Sequence, residues 1–240
     1  MQLKRTIKII AGVIIFITLP SLLLFGFVYL KYNEKLPIGI EGKQADELAH
    51  KMLNALDYQA YQNTQNIEWT FKSRHHFKWK KNEQKCIVQW LDYKVDLNLQ
   101  DYSKSKAYIH NFKVEGDNAN ELIDKAVAYF NNDSFWLVAP YKVFDKGTQR
   151  KLVTLENGKK ALLVTYESGG STPGDSYLWH LDSNGKPKSF QMWVSILPID
   201  GLNATWKDWT TTESGAQLPI FHKLLIFGLD MGDVKGYNYN

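Results

Sequence analysis

Histidines are the first residues to examine for chemistry, because imidazole binds transition metals and transfers protons near neutral pH. His75 and His76 are adjacent, and adjacent side chains of a strand point to opposite faces, so we do not expect them to chelate one ion together. The other four show neither an HxH nor an HExxH spacing; they are His50, His110, His180 and His222. The sequence therefore predicts isolated histidines and no metal site.

Carboxylates, serines and the single cysteine also fail to form a recognisable catalytic set. Seven aspartates lie mostly beside predicted turns, where this residue usually bonds to local backbone; they are Asp96, Asp101, Asp145, Asp175, Asp182, Asp200 and Asp208. The segment ESGGSTPGDS (167–176) lacks the G-x-S-x-G of a nucleophile elbow and the lysine of a phosphate loop. Cys86 lies in the strand-like run CIVQW and is interpreted as a small buried hydrophobe. We predict a non-enzymatic protein without a cofactor; a hydrolase or metal enzyme would need a cluster of His and Asp.

A basic stretch offers a candidate binding surface. Residues 72–85 contain six Lys or Arg residues and a single acid, Glu83. One interpretation is a surface for anionic lipid headgroups or an acidic partner, with contacts from Lys72, Arg74, Lys78 and Lys80. The other interpretation, which we favour, is a solvated strand face whose lysines protect a sheet edge from unwanted pairing.

An aromatic stretch offers a candidate ligand mouth. DSFWLVAPYKVFDKG (133–147) is rich in large apolar groups, but Pro140 and Gly147 interrupt it, so we expect it to leave a preceding helix and cross the open side of a sheet. It would then be either a hydrophobic plug or one wall of a binding mouth. The candidate mouth residues are Phe135, Trp136, Tyr141 and Phe144. Among them we expect Phe135 and Phe144 to anchor the stretch and Trp136 to lie near the opening.

The N-terminal sequence predicts a membrane-spanning segment. Residues 9–30 carry no charge and would span about 33 Å as a helix, enough for a hydrocarbon core of about 30 Å. We predict an uncleaved signal anchor, with a cleaved signal peptide as the alternative. The basic arm, residues 1–8, contains Lys4, Arg5 and Lys8 and should stay in the cytoplasm. The prediction is a single-pass protein of the cytoplasmic (inner) membrane, with a linker at 31–42 and an extracytoplasmic domain at 43–240.

The charge balance argues against nucleic acid as a partner. Three of the 29 basic residues lie in residues 1–30, which contain no acid, so the other 26 are balanced by 25 acidic residues. Nucleic-acid binding needs a concentrated cationic footprint. No protein partner can be named from the sequence.

Periodicity places these residues on an α+β scaffold. Apolar residues recur at helical spacing over 43–59 and 118–132. TFKSRHHFKWKK (70–81), CIVQWLDYKVDLNL (86–99) and KAYIHNFKVEG (106–116) each alternate and are predicted as strands, with a turn at 82–84. Short strand-like runs follow, and Asn157-Gly158 and Asn184-Gly185 predict hairpins. The predicted fold is a curved, mostly antiparallel sheet forming an incomplete barrel, with an N-terminal helix and an inserted helix, preceded by one transmembrane helix.

This order of elements resembles the periplasmic lipoprotein-carrier superfamily of LolA/LolB-like proteins. The resemblance is closest to envelope proteins with an FxxxxPxKxxDxG block, here residues 135–147, and a matching hairpin, here GDSYLWHLDSNGKPKSFQMWV (174–194). It implies a hydrophobic cavity that receives acyl chains. A membrane helix departs from the free carriers, so the resemblance supports the fold more than a transport role. The expected function is binding of a lipid, lipoprotein or other apolar ligand, and the alternative is a structural or interaction domain with a filled core.

Overall fold

Four α-helices and two antiparallel sheets make up the computed structural model, which describes residues 2–168 and 172–239. The helices are α1 (Gln2–Tyr32), α2 (Lys43–Ala55), α3 (Tyr58–Asn63) and α4 (Gly116–Val138). Two 3₁₀ turns cover Tyr102–Lys104 and Ala139–Lys142.

The first sheet collects the strands that precede α4 and adds the last strand of the chain at one edge. Its members are β1 (Asn66–Phe71), β2 (His75–Lys80), β3 (Lys85–Trp90), β4 (Tyr93–Asn98), β5 (Lys106–Ile109), β6 (Phe112–Val114) and β15 (Lys235–Tyr237), in the order β15-β1-β2-β3-β4-β5-β6. Every neighbouring pair is antiparallel.

The second sheet follows α4. Its members are β7 (Thr148–Thr154), β8 (Lys160–Tyr166), β9 (Ser176–Leu181), β10 (Pro187–Trp193), β11 (Leu202–Thr205), β12 (Asp208–Thr211), β13 (Gln217–Leu224) and β14 (Phe227–Asp230). The order is β12-β13-β11-β10-β9-β8-β7, with β14 paired to β13. The predicted α+β class, antiparallel pairing and inserted helix are confirmed. The strands are divided between two open sheets, a division that the periodicity did not specify.

One hydrophobic core joins the two sheets to α2 and α4. In α2 the buried side chains are Ala45, Ala49, Met52 and Leu53, which confirms the predicted apolar stripe. In the first sheet Trp69 stacks on Phe77 with ring centroids 4.3 Å apart. In the second, the fully buried rings of Trp179 and Trp206 meet edge to face at 4.9 Å. Such pairs each add about 0.5–1.5 kcal/mol beyond area burial.

Three of the predicted strands are in fact hairpins. Tight turns at 72–74, 91–92 and 110–111 separate β1 from β2, β3 from β4 and β5 from β6. Lys72 and Ser73 have positive φ at 52° and 55°, and both residues of the third turn also have positive φ, although such turns usually contain glycine. The buried face keeps its phase through the three-residue turn but changes phase at the two-residue turns, as from Val88 and Trp90 to Tyr93 and Val95. The prediction of single strands missed this change of phase.

The two hairpins predicted from Asn-Gly pairs form at the predicted positions. Asn157-Gly158 connects β7 to β8, and Asn184-Gly185 connects β9 to β10. Gly185 has a φ of +98°, and a Cβ there would lie 2.9 Å from the carbonyl oxygen of Lys51. Glycine is therefore needed both for the turn and for the close approach of α2. Residues 169–171 of the segment ESGGSTPGDS (167–176) lie outside the described residues.

The inserted helix is longer than predicted. It continues through Asp133–Val138, the stretch that was expected to have left the helix, and ends as the 3₁₀ turn begins at Ala139. Pro140 lies at this transition, and it lacks the N–H that would continue the helical hydrogen bonding to the Trp136 carbonyl. The stretch therefore leaves the helix several residues later than predicted.

Most of the N-terminal helix stands apart from the body, although Val28 and Tyr32 near its end pack on the core. Within Thr6–Tyr32 an unburied window of 18 residues has a mean hydropathy of 2.5, so the helix is long and apolar enough to cross a membrane. Asn33 and Glu34 then hydrogen-bond to Asp200, with Glu34 N–H donating to its carbonyl oxygen at 3.0 Å. Farther on, Ile40 pairs with Leu152 of β7 through two backbone hydrogen bonds. The segment predicted as a linker is thus docked along the second sheet.

Candidate ligand cavity

A cavity of about 640 Å³ opens where the C-terminal half of α4 lies between the two sheets. The first sheet contributes Phe71 and Trp79, and α4 contributes Phe130, Phe135, Trp136 and Val138. The second sheet and its loops contribute Tyr166, Tyr177, Met192, Val194, Ile196, Leu197, Leu224 and Leu229. Most of this lining is apolar, which suits a ligand without many polar groups.

The last turns of α4 form the aromatic wall. Phe135 meets Tyr177 at 4.6 Å and Tyr166 at 5.5 Å, at the adjoining ends of β9 and β8. Trp136 turns toward β10 and β11 and lies 5.5 Å from Phe190 and 6.5 Å from Trp206. Burial raises the pKa of Tyr166 and of Tyr177, so both phenols are neutral at physiological pH and add no charge to the wall.

The rim of the cavity is cationic. Lys72, Lys142 and Lys146 lie at its edge with Asp145. Lys142 pairs with Asp145 at 2.8 Å. Asp175 also lies at the edge, but its carboxylate is occupied by the Ser195 N–H at 3.0 Å and the Thr172 hydroxyl. The rim therefore offers lysines to an anionic group whose apolar part fills the cavity.

The structure separates the four predicted mouth residues into two pairs. Phe135 and Trp136 line the cavity, whereas Tyr141 and Phe144 lie outside its lining. The Tyr141 hydroxyl is within hydrogen-bonding distance of the carbonyl oxygens of Leu56 at 3.0 Å and Gln217 at 2.5 Å. Phe144 stacks on His50 at 4.5 Å, and the Arg150 guanidinium lies 4.2 Å from its ring. This second pair fastens the chain to α2 and to the second sheet.

The four predicted cationic contacts are divided as well. Lys72 lies on the cavity rim, and Arg74 is exposed beside the β1–β2 turn. Lys78 and Lys80 lie on the outer face of the first sheet, paired with Glu68 at 3.6 Å and Glu83 at 3.0 Å. They border a shallower depression of about 500 Å³ on that face. Because the β1–β2 turn reverses the chain, the basic run does not form the single strand face that was predicted.

One histidine–aspartate contact beside the cavity was not predicted from the sequence. Nδ1 of His75 lies 2.7 Å from Oδ2 of Asp133, which is only 2% exposed. The His75 ring also stacks on Tyr129 of α4 at 3.9 Å. Burial raises the pKa of Asp133, while hydrogen bonds from Asn132 and His75 oppose this. The pair ties the start of β2 to α4, and no spacing in the sequence marks residues so far apart.

A second histidine that the sequence did not distinguish is fully buried behind the aromatic wall. Nδ1 of His222 is 2.8 Å from the carbonyl oxygen of Thr205, and Nε2 is 2.7 Å from that of Trp136. Among residues 2–168 and 172–239, no group of three His, Cys, Asp or Glu side chains could hold a metal ion. Burial raises the pKa of the Cys86 thiol, which keeps that residue unreactive.

Comparison with known proteins gives one structural neighbour to report. No protein-family model matches the chain, and no curated protein matches its sequence. The crystal structure of a DUF1329 family protein from Desulfovibrio piger is similar at a TM-score of 0.40 and 8% sequence identity, over 81% of this chain and 94% of that chain.

Proposed function

We propose that this protein is a non-enzymatic, membrane-anchored envelope protein that binds a lipid, a lipoprotein acyl chain or another apolar ligand between its two sheets. The cavity beside Phe135 and Trp136 is the observation that carries the proposal. Its volume of about 640 Å³ is in the range of about 300–1,000 Å³ that is usual for small-molecule sites. An apolar wall with lysines only at the rim favours a chain with an anionic head.

The proposed location follows from the N-terminus. Helix α1 would cross the cytoplasmic membrane once, with residues 1–8 in the cytoplasm, 9–30 in the bilayer and the body from residue 43 outside. The basic residues before the apolar segment support this orientation. The resemblance of the element order to lipoprotein carriers supports an envelope role. A helical anchor would keep this protein at one membrane rather than let it shuttle.

The first test is direct detection of a ligand. The full-length protein is extracted in detergent and examined by native mass spectrometry, where we expect bound lipid that organic solvent removes. The delipidated protein should then bind a fluorescent fatty-acid probe with 1:1 stoichiometry. Protein that carries no lipid and does not bind the probe would contradict the proposal.

A matched pair of variants locates the binding. Phe135→Ala removes a half-buried ring from the cavity wall, and Phe144→Ala removes a half-buried ring of the same size outside it. We expect Phe135→Ala to weaken probe binding and Phe144→Ala to leave it unchanged in folded protein. Equal effects of the two changes would place the probe elsewhere.

The second candidate is a structural or protein-interaction domain without a ligand. Its support is the chain after Trp136, where Leu137, Val138, Ala139 and Tyr141 are almost fully buried and act as a plug. Under this alternative the cavity is a residual gap beside the plug. The probe measurement separates the candidates, because a gap without function would bind no added lipid.

A further inference from the structure

The most exposed aliphatic and phenylalanine side chains of the body are gathered at one end, whereas the exposed tyrosines Tyr102 and Tyr239 lie at the other. Outside α1 and the segment 33–42, the four most exposed large apolar side chains among the described residues are Leu91 at 90%, Ile226 at 85%, Phe112 at 78% and Ile196 at 67%. Phe227, next to Ile226, is 59% exposed. Ile38 and Ile40 are also exposed, but they belong to the segment that runs beside β7.

Strand directions place these residues at the cavity end. In the first sheet the turns after β1, β3 and β5 lie at the same end, because alternate strands run in the same direction. Leu91 belongs to the second of these turns, Phe112 begins β6 directly after the third, and Phe71 and Lys72 at the first line the cavity. In the second sheet Ile196 itself lines the cavity, and Ile226 lies in the turn between Leu224 and Leu229, which also line it.

The opposite end of the molecule has a different composition. Its turns read KNEQ (81–84), LQDYSKS (99–105), LENGK (155–159), DSNGK (182–186) and TESGA (212–216). Leu99 and Leu155 in these turns are half-buried against apolar clusters, and the exposed Tyr102 carries a polar hydroxyl. The need to form turns therefore does not explain the exposed apolar residues at the cavity end, because polar residues form the turns of the far end equally well.

The membrane helix joins the body at this same apolar end. Asn33 and Glu34, just after α1, hydrogen-bond to Asp200, and the Trp193 indole N–H donates to the Glu34 carbonyl oxygen at 2.8 Å. The loop 194–201 that holds Asp200 also supplies Val194, Ile196 and Leu197 to the cavity. Val28 and Tyr32 of α1 pack on the main core. One loop thus connects the anchor, the cavity and an exposed isoleucine.

We propose that the cavity end of the body rests on the surface of the bilayer that α1 enters, with Ile196, Ile226 and Phe227 in the boundary between headgroups and acyl chains. Apolar side chains at such a surface are buried about 5–10 Å deep. Lys72, Arg74 and Lys146 lie at this end and form no ion pair among the described residues, so they are available to anionic headgroups. The inference rests on the proposed function and deepens it, because a cavity held there takes an anionic lipid directly from its own membrane.

The test measures how close two exposed positions lie to lipid. The full-length protein is placed in lipid nanodiscs after labelling a single added cysteine with an environment-sensitive fluorophore, at Ile226→Cys or, as the matched control, at Glu156→Cys in a turn of the far end. Cys86 is 1% exposed, so the parent protein should take up no label. Nitroxide-bearing lipids then report contact, in nanodiscs that contain phosphatidylglycerol or only phosphatidylcholine.

We expect quenching and a blue shift for the label at residue 226 and neither change for the label at residue 156. Quenching in both lipids supports docking through apolar contact, and quenching in phosphatidylglycerol alone supports docking that depends on the cations. In the latter case Lys72→Glu with Arg74→Glu should reduce it. An unquenched label at residue 226 in both lipids overturns the inference while the proposed function stands. If alkaline carbonate extracts the protein from membranes, α1 is not a transmembrane anchor, and this result overturns both the inference and the proposed function.

Discussion

Nε2 of His222 lies 2.7 Å from the carbonyl oxygen of Trp136, in the last turn of α4. That carbonyl would normally accept the N–H of the residue four positions later, but this residue is Pro140, which has none. The imidazole on β13 therefore occupies a hydrogen-bonding position that the proline leaves open. The substitution His222→Leu tests how much this hydrogen bond stabilises the fold.

We expect His222→Leu to lower the free energy of unfolding by about 1–3 kcal/mol. The neutral imidazole has one N–H, so one of the two buried carbonyl oxygens, that of Trp136 or that of Thr205, loses its hydrogen-bond donor. Chemical denaturation checks this. His76→Leu is the control, because His76 is exposed and its loss should change stability by less than about 0.5 kcal/mol. Equal stabilities of the two variants would show that the carbonyls find other donors.

The stability of the protein should depend on pH through the same residue. Burial lowers the pKa of His222 from its ordinary value of 6.5 to about 4, although the hydrogen bonds to Thr205 and Trp136 raise it. Between these two values the unfolded chain binds a proton that the folded chain does not. The stabilisation is therefore complete above pH 6.5 and is lost as the pH falls toward 4.

Denaturant titrations between pH 7.5 and 4.5 measure this dependence. The parent protein should lose more stability on acidification than His222→Leu does. Burial also lowers the pKa of His180, so a smaller decline should persist in the variant. Identical pH dependence in the two proteins would mean that His222 has the same pKa in the folded and the unfolded chain.

Trp136→Ala should affect binding more than folding. The ring is half-buried in the cavity wall, so its removal should cost less than the about 3–5 kcal/mol typical of a fully buried tryptophan. Probe binding should weaken, because one aromatic wall of the cavity is gone. Unfolding and fatty-acid titrations on the same preparation measure both effects.

Trp179→Ala is the control for Trp136→Ala. Trp179 is fully buried and lies outside the cavity lining. Its removal should therefore lower the free energy of unfolding by the about 3–5 kcal/mol typical of a fully buried tryptophan. A well-folded Trp136→Ala protein with parental probe affinity would argue for the domain without a ligand.

Tyr141→Phe should affect folding without affecting binding. The change removes only the hydroxyl that lies between the carbonyl oxygens of Leu56 and Gln217. We expect a loss of about 1–3 kcal/mol in unfolding free energy, with unchanged probe affinity because the ring lies outside the cavity. Tyr102→Phe, at an exposed tyrosine, should change neither quantity. Weaker probe binding by the folded Tyr141→Phe variant would show that Tyr141 contributes to the ligand site after all.

The orientation of the anchor is tested by a fusion. A reporter enzyme that is active only outside the cytoplasm, joined after the last residue, should be active, because Lys4, Arg5 and Lys8 precede the apolar segment. The comparison is the same fusion with these three residues changed to Glu, which should reduce the activity. Activity of a cytoplasm-specific reporter in the parent fusion would reverse the assigned topology.

The hairpins and helices that the sequence predicted correctly are those determined by neighbouring residues. Asn184-Gly185 marks its hairpin because only glycine fits there, and the apolar stripe of α2 follows from helical spacing. The turns at 72–74, 91–92 and 110–111 contain no glycine. Periodicity marks the two-residue turns only by a change of phase, as between Trp90 and Tyr93. It gives no mark at the three-residue turn after β1, where Phe71 and His75 keep the same phase.

The candidate site shows the same division. Phe135 and Trp136 were predicted at the mouth from their size and their place after a helix, and both line the cavity. Tyr141 and Phe144, only a few residues later, turn away because the helix persists to Val138 and Pro140 then changes the direction of the chain. The partners of His75 and His222 lie 58 and 86 residues distant along the chain, a separation that no local pattern encodes.

The docked segment 33–42 sets how far the body can move from α1. Ten residues of flexible chain would let the body move about 17 Å from the end of α1. Here hydrogen bonds at Glu34 and Ile40 hold the segment against β10, Asp200 and β7, so that freedom of movement is removed. With α1 in the bilayer, as proposed, any encounter between the body and another molecule would depend on lateral diffusion of the whole protein, and the body would meet it in one fixed orientation.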